Sequence, residues 1–122
     1  MKQPDCNHVS CERGIESLVR VPDCLSQLSY ILVDRRSGER TILWKRDPWL
    51  PLLPRHLRKS WIENSTLPLI DGHDAIAAAH AAKWARKRSM SVVTDADNLY
   101  SGIEALLEHP DCLFTPANFP PD

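Results

Sequence analysis

Glycine is scarce in this chain. There are four in 122 residues, at positions 14, 38, 72 and 102, and none are adjacent or one residue apart. A loop of backbone amides that cradles phosphate depends on clustered glycines, so no such cradle is visible. Long apolar runs are absent as well. Nothing approaches the ~20 residues needed to span a bilayer as a helix. The first residues, Met1-Lys2-Gln3-Pro4-Asp5, lack the apolar centre of a secretory signal, which reads as a cytoplasmic chain. Neither sign of charge is in excess. Fifteen basic and 16 acidic residues leave a net charge of −1, so no overall field favours nucleic acid or a membrane surface as partner. There is no internal repeat and no low-complexity tract. The four cysteines, Cys6, Cys11, Cys24 and Cys112, are irregularly spaced, and a cytoplasmic chain keeps such thiols reduced. Cys6, His8, Cys11 and Cys24 are all zinc-ligand types. Their spacing fits no paired-knuckle pattern, and free thiols are the expectation.

What is present is an ordinary globular composition, 43% hydrophobic and 25% charged, of a length that suits one small domain. The densest information lies in residues 67–98. An apolar run at 68–70 ends in Asp71-Gly72-His73-Asp74. Residues 75–88 contain no Gly or Pro, and 91–94 lead into Asp95-Ala96-Asp97-Asn98. This order predicts a βαβ unit, with parallel strands joined by a right-handed helical crossover. Ligands of open α/β sheets bind where such strands end, which is where the polar residues collect. Ala75, Ala78, Ala82 and Ala85 fall at helical spacings of three and four and share a face small enough to lie close on a sheet. Asp74 is placed to cap that helix, and Lys83, Arg86, Lys87 and Arg88 oppose the dipole at its other end. A short helix over 102–108 and a third strand at Cys112-Leu113-Phe114 complete the predicted core.

The preceding half divides into a leader, a hairpin and a connector. Residues 1–13 read as a poorly ordered leader. Within 14–46, strands at 28–34 and 39–44 flank the turn Arg35-Arg36-Ser37-Gly38, where Gly38 supplies a positive φ. A two-stranded ribbon is marginal by itself and is expected to lie on something. Residues 47–66 form a connector whose Pro48, Pro51 and Pro54 exclude a continuous helix. A short helix over 54–62 can begin at Pro54. Trp44, Trp49 and Trp61 are expected to cover the hairpin and the helix edge. Residues 67–122 make up the α/β core.

Taken in order, these segments resemble the PfkB/ribokinase-like carbohydrate kinases. The matching pieces are Val21-Pro22, Ser26-Gln27-Leu28-Ser29 and the strand Tyr30-Ile31-Leu32-Val33-Asp34. Ser37-Gly38-Glu39-Arg40-Thr41-Ile42-Leu43 is similar to the family's lid hairpin. Ile70-Asp71-Gly72-His73-Asp74 resembles its first central strand and turn. Ala82-Lys83-Trp84-Ala85-Arg86 and Val92-Val93-Thr94-Asp95-Ala96-Asp97 resemble the next helix and strand. Cys112-Leu113-Phe114 and Phe119-Pro120 resemble the strand that approaches the nucleotide. The likeness runs from about Gly14 to Pro120. It implies a partial ribokinase-like fold: a β-hairpin lid plus a small parallel sheet with crossover helices.

The resemblance further implies transfer of the γ-phosphoryl of ATP, with Mg2+, to a hydroxyl of a sugar or nucleoside. The family's sugar floor, an N-terminal stretch with an Asp and a glycine pair, has no counterpart here. Neither has its late Gly-Ala-Gly-Asp segment, which supplies anion hole and base. The chain corresponds to the middle of such a kinase and is expected to be inactive alone, with no catalytic residue assigned. Two alternatives are a non-catalytic dimerisation or binding module, in which the lid hairpin pairs with a second copy, and one fragment of a split kinase.

The resemblance places Arg40, Asp71, Gly72 and His73 on the substrate side, and Asp95, Asp97 and Asn118 on the nucleotide side. Each has a plainer reading. Arg40 can pair with Glu39 or Asp34, Asp71 and Asp74 can serve a turn and a helix cap, and His73 can face solvent. Asp95 and Asp97 can be loop residues. Asn118 only roughly matches the family's Asn-x-x-Glu motif. Ser89 stands where family helices usually end in Gly, so a left-handed cap there is strained. His56, His80 and His109 show no mutual ligand spacing and read as surface or helix residues.

Overall fold

Local sequence is enough to build the hairpin. In the computed structural model, which describes residues 17–117 and Phe119, strands β1 (Leu28–Val33) and β2 (Arg40–Lys45) pair antiparallel, Tyr30 opposite Leu43 and Ile31 opposite Ile42. The turn closes on itself. Asp34 accepts the N–H groups of Arg36 and Ser37 through its carboxylate, and its backbone exchanges hydrogen bonds with Gly38 and Glu39. Those two N–H donors hold its carboxyl below the ordinary range. Gly38 has φ 76°, a left-handed conformation at the position the turn requires.

The expectation that this ribbon lies on another element is overturned. Among the described residues no helix or other strand packs its backbone against it, and every residue of both strands is exposed. Directly paired residues share a face. One face therefore carries Leu28, Tyr30, Leu32 and Leu43, and the other Ile31, Val33, Ile42 and Trp44. Trp44 and Trp49 are largely exposed; of the three only Trp61 is partly buried, with the Arg58 guanidinium 5.5 Å from its ring centre.

The predicted helix over 54–62 is broken in two. A single 3-10 turn at Pro54–His56 precedes α1 (Lys59–Glu63), with Leu57 and Arg58 extended between them. The reason is packing. Leu57 and Ile62 both rest on the core cluster, and five residues apart on one straight helix they would point to different sides.

The core is a parallel three-stranded sheet in the order β3-β4-β5, from β3 (Leu69–Asp71), β4 (Val93–Asp95) and β5 (Cys112–Phe114). Helices α2 (Ala75–Lys87) and α3 (Ile103–Leu107) make the crossovers. Because the strands follow sequence order, two right-handed crossovers advance the same way and lay both helices on one face. Ile70 packs there with Ala78, Ala81, Ala82 and Leu106. The opposite face leaves Leu69 and Phe114 exposed. The alanines of α2 do more than the predicted single stripe. Ala77, Ala79 and Ala81 are also buried, since α1, α3 and the sheet all approach that helix.

Two termini of α2 depart from simple expectation. Asp74 sits at the N-cap, yet its side chain makes no capping hydrogen bond. At the other end Ser89 has φ 54°. The N–H of Ser89 reaches the carbonyl of Arg86, and that of Met90 the carbonyl of Ala85, so the strained cap read from sequence is present. Among the described residues no helix is long and apolar enough to cross a membrane. The predicted leader, with Cys6, His8 and Cys11, lies outside the described residues; Cys24 and Cys112 are free thiols.

Candidate functional site

Asp71 and Asp95 are paired residues at the ends of adjacent parallel strands. The chain leaves β3 through Gly72, whose N–H donates to the Asp95 carbonyl at 3.0 Å. A Cβ at that position would come within 3.2 Å of Ile103 Cδ1 and 3.4 Å of the Asp95 carbonyl oxygen. Glycine therefore lets the turn lie flat on β4, and this brings His73 back over the strand end. Asp71 Oδ1 accepts the His73 backbone N–H at 2.6 Å and stands 2.7 Å from His73 Nδ1.

The imidazole is not the free, solvent-facing ring of the plainer reading. Its Nε2 lies 3.2 Å from the Tyr100 hydroxyl, and the two ring centres are 4.8 Å apart. Burial, then the charge of Asp97 and its hydrogen bond, then the charge of Asp71 push the Tyr100 phenol up to about 12, with Arg46 opposing. A phenol held protonated is a donor. Its single O–H lies within reach of both the Asp97 carboxylate and His73 Nε2, while His73 Nδ1 faces Asp71. Such an arrangement presents a carboxylate, an imidazole and a hydroxyl in fixed orientation, which suits hydroxyl-bearing ligands.

Beside it stands an ion pair the sequence did not disclose. Arg46 Nη2 donates to both carboxylate oxygens of Asp74, at 2.8 and 2.6 Å, with side chains 18% and 22% exposed. This takes the carboxylate away from the helix cap. Arg46 Nε is buried with no partner. Two adjacent clefts of about 470 and 450 Å3 meet here, and Arg46, Leu52, His73 and Asp74 line both. Asp71 lines the first with apolar Leu57, Ile62 and Ile70; Tyr100 and Ser101 line the second.

Of the residues singled out in the sequence, Asp71, Gly72 and His73 thus gather at one edge, with Asp95 beside them. Asp97 is exposed, on the loop that carries Tyr100. Arg40 is on the exposed hairpin, lines neither cleft and makes no ion pair among the described residues. The expected pairing with Glu39 or Asp34 is not formed; Asp34 accepts the turn amides and Glu39 the Ser37 hydroxyl. Asn118 lies outside the described residues. Arg46 and Tyr100 were missed. The position of Tyr100 on the loop after β4 was a usable signal, since loops at that sheet edge carry ligand contacts. Among the described residues no three His, Cys, Asp or Glu side chains gather as a metal site. No family model, curated protein or solved structure matches the chain.

Proposed function

We propose that this chain binds a sugar or nucleoside at the carboxyl edge of its parallel sheet. In this reading it is the central part of an ATP-dependent carbohydrate kinase resembling the PfkB/ribokinase-like family, inactive alone, with β1 and β2 as its lid. The observation that carries the reading is the convergence of Asp71, His73 and Tyr100 at the ends of paired parallel strands, beside clefts with apolar walls. Polar groups fixed among apolar walls are the usual composition of a small-molecule site.

Magnesium-ATP is the cosubstrate implied by the resemblance, and the residues here do not fit it. No adjacent glycines exist to cradle phosphate, and the described residues offer no metal cluster. The phosphoryl-transfer step is therefore not assigned to this chain.

Calorimetric titration with aldoses, ketoses and nucleosides, each with and without magnesium-ATP, tests the proposal. A saturable heat with one polyol class is expected, lost in Asp71→Ala and His73→Ala, with no ATP turnover. Absence of heat from every polyol overturns the binding assignment, and turnover by the purified chain overturns the inactive part.

A second reading is favoured by the bare hairpin. Two exposed apolar faces and two unpaired edges suit pairing with a second copy of the chain. Light scattering is expected to give a dimer that Ile31→Lys with Ile42→Lys converts to monomer. A monomer at all concentrations removes this reading.

A further inference from the structure

The Arg46–Asp74 pair has a position that its chemistry alone does not explain. Arg46 is the first residue beyond β2, and Asp74 is the N-cap of α2. Among the described residues this pair makes the only hydrogen bonds between residues 17–66 and residues 67–119. The hairpin backbone stays away from every core element among the described residues, and only Trp44 reaches over the cleft lined by Ala75 and Ile76. One ion pair, 28 residues apart in sequence, is therefore the polar tie among the described residues between the end of the hairpin and the sheet edge.

Asp74 also has a second partner within reach of its own backbone. An N-cap aspartate ordinarily accepts an N–H of the first helical turn, and here that turn has no side-chain acceptor. Here the carboxylate is turned to Arg46 and makes no bond to the first turn of α2. The same pair is part of the wall that the two clefts share, with Leu52 and His73, so a change of partner alters the wall as well as the tie.

We propose that Arg46–Asp74 is a latch. Paired, it holds the hairpin and keeps the clefts separate. Open, Asp74 rotates to cap α2, the hairpin swings free and the clefts join into one trough. The device is independent of what the cleft binds. Whatever draws on Arg46 or Asp74 is coupled to the hairpin through this exchange.

Residual dipolar couplings of the full chain test it. In the wild type, amides of β1 and β2 are expected to fit the same alignment as those of α2. In Arg46→Met the hairpin couplings lose most of their magnitude, while those of α2 keep theirs. Asp74→Ser removes the charge but keeps a capping oxygen. It is expected to release the hairpin in the same way, with hydrogen-exchange protection in the first turn of α2 retained or raised. A wild-type hairpin already aligned independently of the core overturns the latch. So does a hairpin that stays aligned with α2 in Asp74→Ser, a variant that keeps its helix capped and does not depend on Arg46→Met folding. Loss of first-turn protection in Asp74→Ser overturns the exchange of partners.

Discussion

The hairpin and the parallel sheet are made from similar side chains and treat them in opposite ways. Ile31 in β1 is 58% exposed, whereas Ile70 in β3, under the helices, is 7% exposed. The difference lies in the connections. A hairpin closes through a short turn and brings no third element with it, so both faces of β1 and β2 stay open. A parallel pair needs a long crossover, and that crossover is the helix that covers one face. Burial in this molecule follows the length of the connection more than the hydrophobicity of the strand.

Paired substitutions sharpen or break that contrast, and the largest effect is expected from truncation. Leu106 is fully buried, so Leu106→Ala should cost about 2–5 kcal/mol. Ile31→Ala should move stability by no more than about 0.5 kcal/mol. Urea denaturation followed by circular dichroism measures both, and a large loss at Ile31 would mean that something covers the hairpin in solution.

A smaller effect is expected where a polar group is buried without a partner. Thr94 in the middle of β4 is fully buried, and its Oγ1 has no hydrogen bond. Thr94→Val should raise stability by about 1 kcal/mol, because an orphaned hydroxyl is replaced by a methyl of similar shape. Thr41→Val, on the exposed strand β2, should leave the denaturation midpoint in place.

Backbone strain gives the third comparison. Ser89→Gly relieves a left-handed residue at the end of α2 and should stabilise by under about 1 kcal/mol, since glycine also loosens the unfolded chain. Gly38→Ala, at φ 76° in the hairpin turn, should loosen the turn without moving the melting of the core.

The smallest effect is expected from acid. The carboxyls of Asp111 and Asp34 are both held low. For Asp111 the cause is first the Val92 N–H and then Arg86; for Asp34 it is the N–H groups of Arg36 and Ser37. A carboxyl depressed by folding contributes stability that is complete above its unfolded value. That contribution is lost as pH falls through the folded value. Asp111→Asn should therefore flatten the loss of core stability below the ordinary carboxylate range, and Asp34→Asn should not. Thermal melts across that acid window read the difference.

Much of the fold was legible in the sequence because its causes are local. The turn at 35–38 needed only Asp34 and Gly38, and the order of strand, alanine helix and strand predicted the parallel pair that ends in Asp71 and Asp95. The break at Leu57 and Arg58 was not legible, because it serves contacts with a core formed later in the chain. The site was half legible. Asp71, Gly72 and His73 adjoin a strand end, whereas Arg46 and Tyr100 reach it from 28 and 27 residues away along the chain.

The sequence by itself determined the elements, their order and the edge at which polar residues collect. Helical spacing, turn residues and the handedness of crossovers are properties of neighbouring residues. Only the tertiary structure decided that Asp74 holds Arg46 instead of its own helix, that Tyr100 closes on His73, and that the hairpin stands bare. Those outcomes depend on which groups meet in space, and an ion pair or an uncovered face has no signature in the residues on either side of it.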